Sequence, residues 1–358
     1  MKVQKSLLVF ATTMSVLLCG EQSARPQGAA VPVHVVITDA ALEGNAAPPR
    51  LDVSAVKVKQ GKNYLKVTQV VPARGDAATL QLFILIDDTL DTSIGNNLQD
   101  LKAFINAQPA STQFGVGYMS NATFQLAQNF TPDHTAAIKA IRLPRGNTST
   151  MDSPYLSLIS LVKGWPPQKV RREVLMVTDG IDRLRGEKPQ MSSMGPNARM
   201  AGAGMGTSPG MGMNTRMGTD FGPGVYHSMP QISVDATTAS EISQRYNVIV
   251  YSIYGVGVGR MGRSSWDAQL GISGLDKIAQ ETGGECFSLS TTQLVSFKPY
   301  LDRLSNQLAN QYFVAFDAVP KGKKGSLQRV KMETEIPNSE LLAPDNVWVE
   351  APAGGTAK

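Results

Sequence analysis

The chain has 358 residues, of which 42 per cent are hydrophobic, and its formal net charge is +5. This length allows one large domain with a smaller one, and the composition is that of an ordinary soluble protein with a sizeable core. Basic residues are scattered except at Arg171-Arg172 and Lys321–Lys324, a distribution that excludes a nucleic-acid-binding surface.

The amino-terminal residues have the pattern of a secretory signal. Two lysines precede an apolar run from Leu7 to Leu18, which is too short to span a bilayer. We therefore expect a signal peptide over residues 1–24, export to the periplasm or beyond, and no transmembrane segment in the mature chain. Lipid anchoring at Cys19 is the weaker alternative, because the bulky Leu18 stands where lipoprotein signals have a small residue.

Short β-type runs occupy both ends of the mature chain. Residues 31–75 and residues 312–350 each leave apolar strand faces unpaired when taken alone, so we expect the two segments to pair in one small β-sandwich-like unit. The runs are Val31–Val36, Leu51–Val58, Asn63–Val71, Tyr312–Phe316, Ser326–Ile336 and Val347–Val349.

The residues between these segments, 78–311, alternate apolar strand patterns with amphipathic helix patterns. Leu82–Ile86 and Val174–Val177 are unbroken apolar runs, and Val248–Tyr254 is apolar except at Ser252, as expected for parallel strands that are covered on both faces. The pattern predicts an α/β domain with a doubly wound, mostly parallel sheet flanked by helices. The predicted helices lie at Leu98–Ile105, Asp152–Trp165, Asp235–Tyr246, Gly274–Gly283 and Thr291–Gln311.

One segment of this domain, residues 186–230, is rich in methionine and glycine and has no periodicity. It lacks the β-branched and aromatic residues that build a core, so we expect an insertion that is mobile and dispensable for folding. Binding of a soft metal such as Cu(I) is the alternative, because Met211 and Met213 offer two thioethers close together.

Oxygen donors follow two of the predicted strands and fill a third loop. Asp87, Thr89 and Asp91 alternate after the first strand, Asp179 follows a later one, and Thr148 lies in a hydroxyl-rich loop. Open α/β sheets place their sites beyond the carboxyl ends of their strands, so these donors should share one crevice. Carboxylates and hydroxyls without Cys or His are the ligands that Mg²⁺ or Ca²⁺ prefers.

The same residues carry a resemblance to von Willebrand factor type A (VWA) domains. The metal-ion-dependent adhesion site of that family combines Asp-x-Ser-x-Ser, a threonine in a Gly-Gly-Thr-like loop and a Thr-Asp-Gly segment. The five donors above fall on these positions, with Thr89 and Asp91 in place of serines and Asn147 in place of a glycine. A register starting at Asp88 would place Leu90 in a ligand position and is the less favoured alternative.

The resemblance, which covers nearly the whole mature chain, implies a VWA/Rossmann-like fold and a protein-binding role. In the family, the cation keeps one coordination position open for a carboxylate of the protein partner. Asp91 adds a negative charge that would weaken this pull, so a degenerate metal site, or partner binding without metal, is the expectation. A structural scaffold subunit of an envelope assembly, with no metal, is the alternative.

The acidic residues near the crevice have no evident counter-charge in the sequence. Asp87, Asp91 and Asp179 are expected to meet there, with Asp88 and Asp152 close by, and such carboxylates raise one another's pKa. A divalent cation is the simplest remedy, and water with loop hydrogen bonds is the alternative.

Enzymatic machinery is not visible in the sequence. None of the three histidines, His34, His134 and His227, is close in sequence to the donors, so no general base is evident beside them. Gly257–Gly262 fits Gly-x-Gly-x-x-Gly, but it follows a late strand and opens no clear helix, so we interpret it as a loop. We therefore expect an exported, non-enzymatic protein-binding module.

Overall fold

A computed structural model of the chain describes residues 30–41, 50–146, 152–166, 170–184, 234–258, 265–288, 292 and 294–351. The predicted signal peptide, Cys19, Thr148, His227 and the Met/Gly-rich segment lie outside the described residues. The described residues form 15 strands and six α-helices in this order: β1 (Val31–Ala41), β2 (Val56–Gln60), β3 (Asn63–Leu65), β4 (Val67–Pro72), β5 (Leu80–Asp87), α1 (Gly95–Ala107), β6 (Thr112–Ser120), β7 (Thr123–Thr131), α2 (His134–Ala140), α3 (Pro154–Gly164), β8 (Arg171–Thr178), α4 (Val234–Arg245), β9 (Val248–Tyr254), α5 (Ser265–Thr282), β10 (Cys286–Phe287), α6 (Lys298–Ala309), β11 (Gln311–Ala318), β12 (Ser326–Arg329), β13 (Lys331–Thr334), β14 (Ser339–Leu342) and β15 (Asn346–Val349).

A six-stranded sheet forms the centre of the α/β domain. Its strand order is β10-β9-β8-β5-β6-β7, and every neighbouring pair is parallel except β6 and β7. All eight residues of β5 are buried, as the unbroken apolar run predicted. The predicted doubly wound, mostly parallel sheet, the fold that the VWA resemblance implied, is confirmed.

Helices cover both faces of this sheet. Leu82, Ile84 and Ile86 belong to a buried cluster that includes residues of α1 and α6. The alternate residues Phe83 and Leu85 belong to a second cluster, on the opposite face, with residues of α3, α4 and α5. Each such side chain contributes about 1.5–3 kcal/mol by its burial, so this strand is a main source of stability.

The strands from the two terminal segments pair with one another. β1 is antiparallel to both β11 and β14, and β11 is antiparallel to β4, which gives the order β14-β1-β11-β4. Smaller antiparallel sheets, β13-β2-β3 and β12-β15, complete a third hydrophobic core around residues such as Ile37, Val58 and Phe316. The division of the chain into separately folding units stays a prediction.

Two strand predictions needed correction. The strand predicted over Leu51–Val58 begins only at Val56, because the Asp52 carboxylate accepts hydrogen bonds from the backbone N–H groups of Ser54 and Ala55 and holds a turn. The run predicted from Ser326 to Ile336 is divided into β12 and β13, and β14 was not predicted.

Two helix boundaries also differ. α5 begins nine residues before the predicted Gly274, and α6 is confined to Lys298–Ala309 rather than Thr291–Gln311. Glycine is needed at positions 271 and 274 of α5 because there is no room for a Cβ atom. A Cβ atom at Gly271 would lie 2.2 Å from Asp179 O, and one at Gly274 would lie 2.1 Å from Tyr155 Oη. Even α5, at 18 residues, is not apolar enough to cross a membrane, nor is any other helix in the described ranges.

Candidate functional site

Asp87 lies at the carboxyl end of β5 and is fully engaged by hydrogen bonds. Its Oδ1 accepts from the backbone N (2.9 Å) and Oγ1 (2.7 Å) of Thr89, and its Oδ2 accepts from Thr178 Oγ1 (2.6 Å). Burial, followed by the charge of Asp179, raises the pKa of Asp87 to about 6, against the effect of these hydrogen bonds. A buried carboxylate is thus held in one orientation.

Asp179 directly follows β8, the strand next to β5, and is also buried. Its Oδ1 accepts from the backbone N of Ile181 (2.9 Å), and its Oδ2 lies 2.5 Å from Arg183 Nη2. Space around it is small, since a Cβ atom at Gly257 would lie 2.2 Å from Asp179 Oδ2. The glycine there lets the loop after β9 approach the carboxylate closely.

Arg183 joins the loops after β5 and β8. Its Nη2 pairs with Asp179, while Nη1 donates to Thr89 Oγ1 over 3.2 Å. The side chain is 10% exposed. Burial opposes its charge, but the carboxylates of Asp179, Asp87 and Asp152 outweigh that effect and raise the pKa of Arg183. The guanidinium therefore remains charged inside the crevice.

Asp88 forms a separate cluster. Arg142 binds it with both Nη atoms, at 2.6 and 2.8 Å, and also lies 3.7 Å from the centre of the Tyr118 ring. The backbone N of Arg145 donates to Asp88 Oδ1 over 3.2 Å, and its Nε lies 3.8 Å from Oδ2. The alternative register at Asp88 thus corresponds to an arginine-bound carboxylate.

Asp91 directs its carboxylate into its own turn. Its Oδ1 accepts from the backbone N of Ser93 (2.8 Å) and caps a short 3-10 helix, Thr92–Ile94, and this hydrogen bond lowers the pKa of Asp91. The Asp91 backbone donates to Val256 O (2.9 Å), which ties the loop after β5 to the loop after β9.

The structure therefore brings together three of the five predicted donors: Asp87, Thr89 and Asp179. Asp91 bonds within its own turn, and Thr148 lies outside the described residues. The expectation of carboxylates without a counter-charge is wrong, because Arg183 and Arg142 supply one.

Arg183, Thr178 and Arg142 were missed as site residues. Thr178 was within the Thr-Asp-Gly segment, and Arg183 stands four residues after Asp179, a spacing that could have suggested a partner. Arg142 had no such signal.

The arrangement does not fit a divalent cation as it stands. Thr89 Oγ1 and Asp179 Oδ2, two oxygens expected to coordinate the ion, bind the guanidinium instead. Within the described ranges, no group of three or more His, Cys, Asp or Glu side chains could hold a metal. Binding of Mg²⁺ or Ca²⁺ stays a prediction.

No protein-family model and no curated protein sequence matches the chain. Similar solved structures include BatB from Bacteroides thetaiotaomicron (10% identity, 64% of this chain, 97% of that chain, TM-score 0.40) and an aerotolerance-related membrane protein from Bacteroides fragilis with multiple mutations to serines (10%, 64%, 98%, 0.38). A von Willebrand factor type A protein from Catenulispora acidiphila is another (10% identity, 91% of this chain, 75% of that chain, TM-score 0.36). At these values the similarities carry nothing on function, and the assignment of a doubly wound α/β fold rests on the strand order of this chain itself.

Proposed function

We propose that the chain is a non-enzymatic protein-binding module, which contacts its partner with the loops at the carboxyl edge of the six-stranded sheet. The observation that carries the proposal is the exposure of large apolar side chains in or next to these loops: Leu143 is 51%, Trp266 50% and Val295 96% exposed. Exposed apolar groups around a polar site are typical of binding surfaces.

The three side chains belong to the same edge as Asp87 and Asp179. Trp266 is in the first turn of α5, which follows β9. A Cβ atom at Gly95, where α1 begins, would lie 2.9 Å from Leu143 Cδ2. Val295 follows Leu294, and the carbonyl oxygen of Leu294 accepts a hydrogen bond from Asn97 Nδ2 of α1 over 3.1 Å. Because α1 follows β5, all three lie around the polar site.

The charge at this edge favours a partner that contributes a carboxylate. Arg142 already binds Asp88 with two hydrogen bonds, whereas the side chain of Arg145 is 57% exposed and lies 3.8 Å from Asp88 Oδ2. An exposed ion pair of this kind contributes about 0–1 kcal/mol, so Arg145 can exchange it for an acidic group of a partner at small cost. Export of the chain remains an expectation from the pattern at residues 1–24.

The role of a scaffold subunit has an observation of its own. A groove of about 450 Å³ runs over β2 and β3 and is lined by residues that include Val53 and Tyr64, which are 44% and 62% exposed. It belongs to the β13-β2-β3 sheet and not to the site edge. A scaffold would need a second contact surface of this kind, whereas a one-partner binder would not.

Capture with purified, biotinylated protein tests the two roles. Proteins retained by the wild type, Leu143→Asp, Val295→Asp, Arg145→Glu and Tyr64→Asp should be compared by quantitative mass spectrometry, and direct binding of the retained protein measured by calorimetry. We expect the first three variants to lose a partner that Tyr64→Asp retains. Equal binding by all variants would contradict the proposal, and loss of a second partner by Tyr64→Asp alone would support the scaffold role.

A further inference from the structure

We propose that the guanidinium of Arg183 is the resident cation of the carboxyl-edge site, so that the site is complete without a divalent metal. The inference concerns the state of the site itself and does not depend on the identity, or the existence, of the partner proposed above. Its basis is that Arg183 binds two of the oxygens, Thr89 Oγ1 and Asp179 Oδ2, that a metal was predicted to bind.

The first step concerns the oxygen donors. Nη1 and Nη2 of Arg183 bind one oxygen from each loop, Thr89 Oγ1 and Asp179 Oδ2. Both oxygens of Asp87 already accept hydrogen bonds, two at Oδ1 and one at Oδ2. A cation could bind Thr89 Oγ1 and Asp179 Oδ2 in place of the guanidinium only after the guanidinium had left.

The second step concerns how firmly Arg183 is held. The backbone N–H groups of Arg183 and Leu184 both donate to Asp152 O, at 2.8 and 2.9 Å, and Asp152 Oδ1 in turn accepts from the backbone of Asn121. On another side, a Cβ atom at Gly257 would lie 3.0 Å from Nη2. Backbone hydrogen bonds therefore fix the position of the Arg183 main chain, and the loop after β9 packs against the guanidinium.

The third step concerns charge. Arginine does not lose its proton in proteins, so the buried guanidinium supplies a permanent positive charge beside Asp87 and Asp179. A divalent ion at the same oxygens would lie at hydrogen-bonding distances from a like charge, and low solvent access leaves that repulsion poorly screened. The planar guanidinium also holds the two oxygens that it binds in a fixed relative position, so the site has a defined shape before a partner binds.

Thermal unfolding with and without ions tests the proposal. Wild-type protein, Arg183→Gln and Arg303→Gln should be melted in chelator and in millimolar MgCl₂ or CaCl₂. Arg303 forms an ion pair with Glu285 over 2.8 Å outside the site, with its side chain 63% exposed, and is the control for loss of an arginine–carboxylate pair elsewhere in the chain. We expect ions and chelator to leave the melting temperature of the wild type unchanged. The melting temperature of Arg303→Gln should also be the same in every buffer. Arg183→Gln should melt lower in chelator and regain part of the loss with metal, because ions stabilise by mass action once the oxygens are released.

Two results of this experiment would overturn the proposal. The first is a wild-type melting temperature that rises with metal and falls again with chelator. The second is an Arg183→Gln variant that loses stability but gains none from the ions, since the arginine would then be an ordinary ion-pair partner. If Arg183→Gln does not fold, Arg183→Lys and the double variant Asp179→Asn/Arg183→Gln take its place. Arg183→Lys should fold, and its melting temperature should not change when metal is added. Failure of both variants to fold would also overturn the proposal.

Discussion

Strand β8 has a buried carboxylate near each of its ends, beside an arginine that is buried or nearly so, and the two ends differ in what covers them. At the carboxyl end are Asp179 and Arg183, and at the amino end are Arg171 and Glu173. The carboxyl end lies under the loops that carry exposed apolar side chains. The amino end is covered by other elements of the same chain.

The amino-end cluster joins the α/β sheet to the antiparallel sheet. Arg171 Nη1 donates to Leu308 O in α6 and to Gln311 Oε1 in β11, each over 2.8 Å, and its Nη2 donates to Ala78 O over 2.6 Å. Gln311 Nε2 continues the network to Tyr251 Oη over 3.2 Å. These contacts link segments that are far apart in sequence.

The comparison shows that buried charge alone does not mark a binding site. Burial raises the pKa of Glu173 to about 7, against the effect of Arg171, and the pKa of Asp87 to about 6. Both ends therefore contain a strongly perturbed carboxyl group, yet the residues around the amino-end cluster connect two sheets. The carboxyl end of β8 differs from the amino end because loops cover it, and not because its carboxyl group is more strongly perturbed.

The largest expected effect is at the amino end. Arg171→Met would leave Glu173 without its neighbouring positive charge and three carbonyl oxygens without a donor, so we expect a loss of roughly 3–5 kcal/mol in the free energy of unfolding. Urea denaturation followed by circular dichroism measures it. The double variant Arg171→Met/Glu173→Gln should recover part of the loss, and a single variant as stable as the wild type would show that the cluster does not join the two sheets.

The carboxyl-end counterpart is Asp179→Asn, which removes the charge that faces Arg183. We expect a loss of about 3 kcal/mol, since the guanidinium then keeps only the attraction of Asp87 and Asp152 and its hydrogen bond to Thr89.

Asp179 and Glu173 are six residues apart on an extended strand, roughly 20 Å, so the effects of Asp179→Asn and Glu173→Gln should add within about 0.5 kcal/mol. Strong non-additivity in denaturation of the double variant would mean that the two ends are coupled. They could then not be compared as independent clusters.

A third expectation is a pH dependence that belongs to Glu173. Its folded pKa, about 7, is above the ordinary value of 4.5, so the stability linked to its protonated form is present below pH 4.5 and is lost as the pH rises through 7. Glu173→Gln should remove this dependence and stabilise the protein at neutral pH by roughly 2 kcal/mol.

The measurement is the difference in the free energy of unfolding between variant and wild type from pH 4 to pH 8, which should grow between roughly pH 4.5 and 7. Subtraction removes the contribution of Asp87, which titrates in a similar range. Glu241→Gln, at an exposed position of α4, is the control and should give a flat difference. A flat curve for Glu173→Gln would show that its carboxyl group titrates normally.

Much of this architecture could be predicted from sequence, because the signals are local. The apolar run before Asp87 predicted a strand buried on both faces, and the donors after two strands predicted a common crevice. The start of α5 was missed because Gly271 and Gly274 lower helix propensity, and their role appears only when the backbone of Asp179 packs against the helix.

Arg183 could not be placed in the site from sequence for a similar reason. Its contact with Thr89 spans 94 residues, and no periodic pattern records which charged side chain will fill a crevice between two loops. The expectation of a metal followed from the carboxylates and hydroxyls, from the VWA motif that they match and from the lack of an evident counter-charge. An arginine that enters from the loop after β8 changes the charge of the site without changing any of the matched motif positions.

The smallest expected effect is that of Asp91→Ser, which replaces the residue that departs most from the VWA pattern. Serine caps helices about as well as aspartate, so the hydrogen bond from the Ser93 backbone can be kept, and the free energy of unfolding should change by less than about 0.5 kcal/mol. Asp91→Ala, which removes the cap, should cost about 1 kcal/mol by the same denaturation measurement. If Asp91→Ser instead shifted stability by as much as Asp179→Asn does, Asp91 would have to belong to the buried cluster. The small change that we expect would mean that the Asp91 carboxylate acts only as a cap of its own turn and that this position is free to vary.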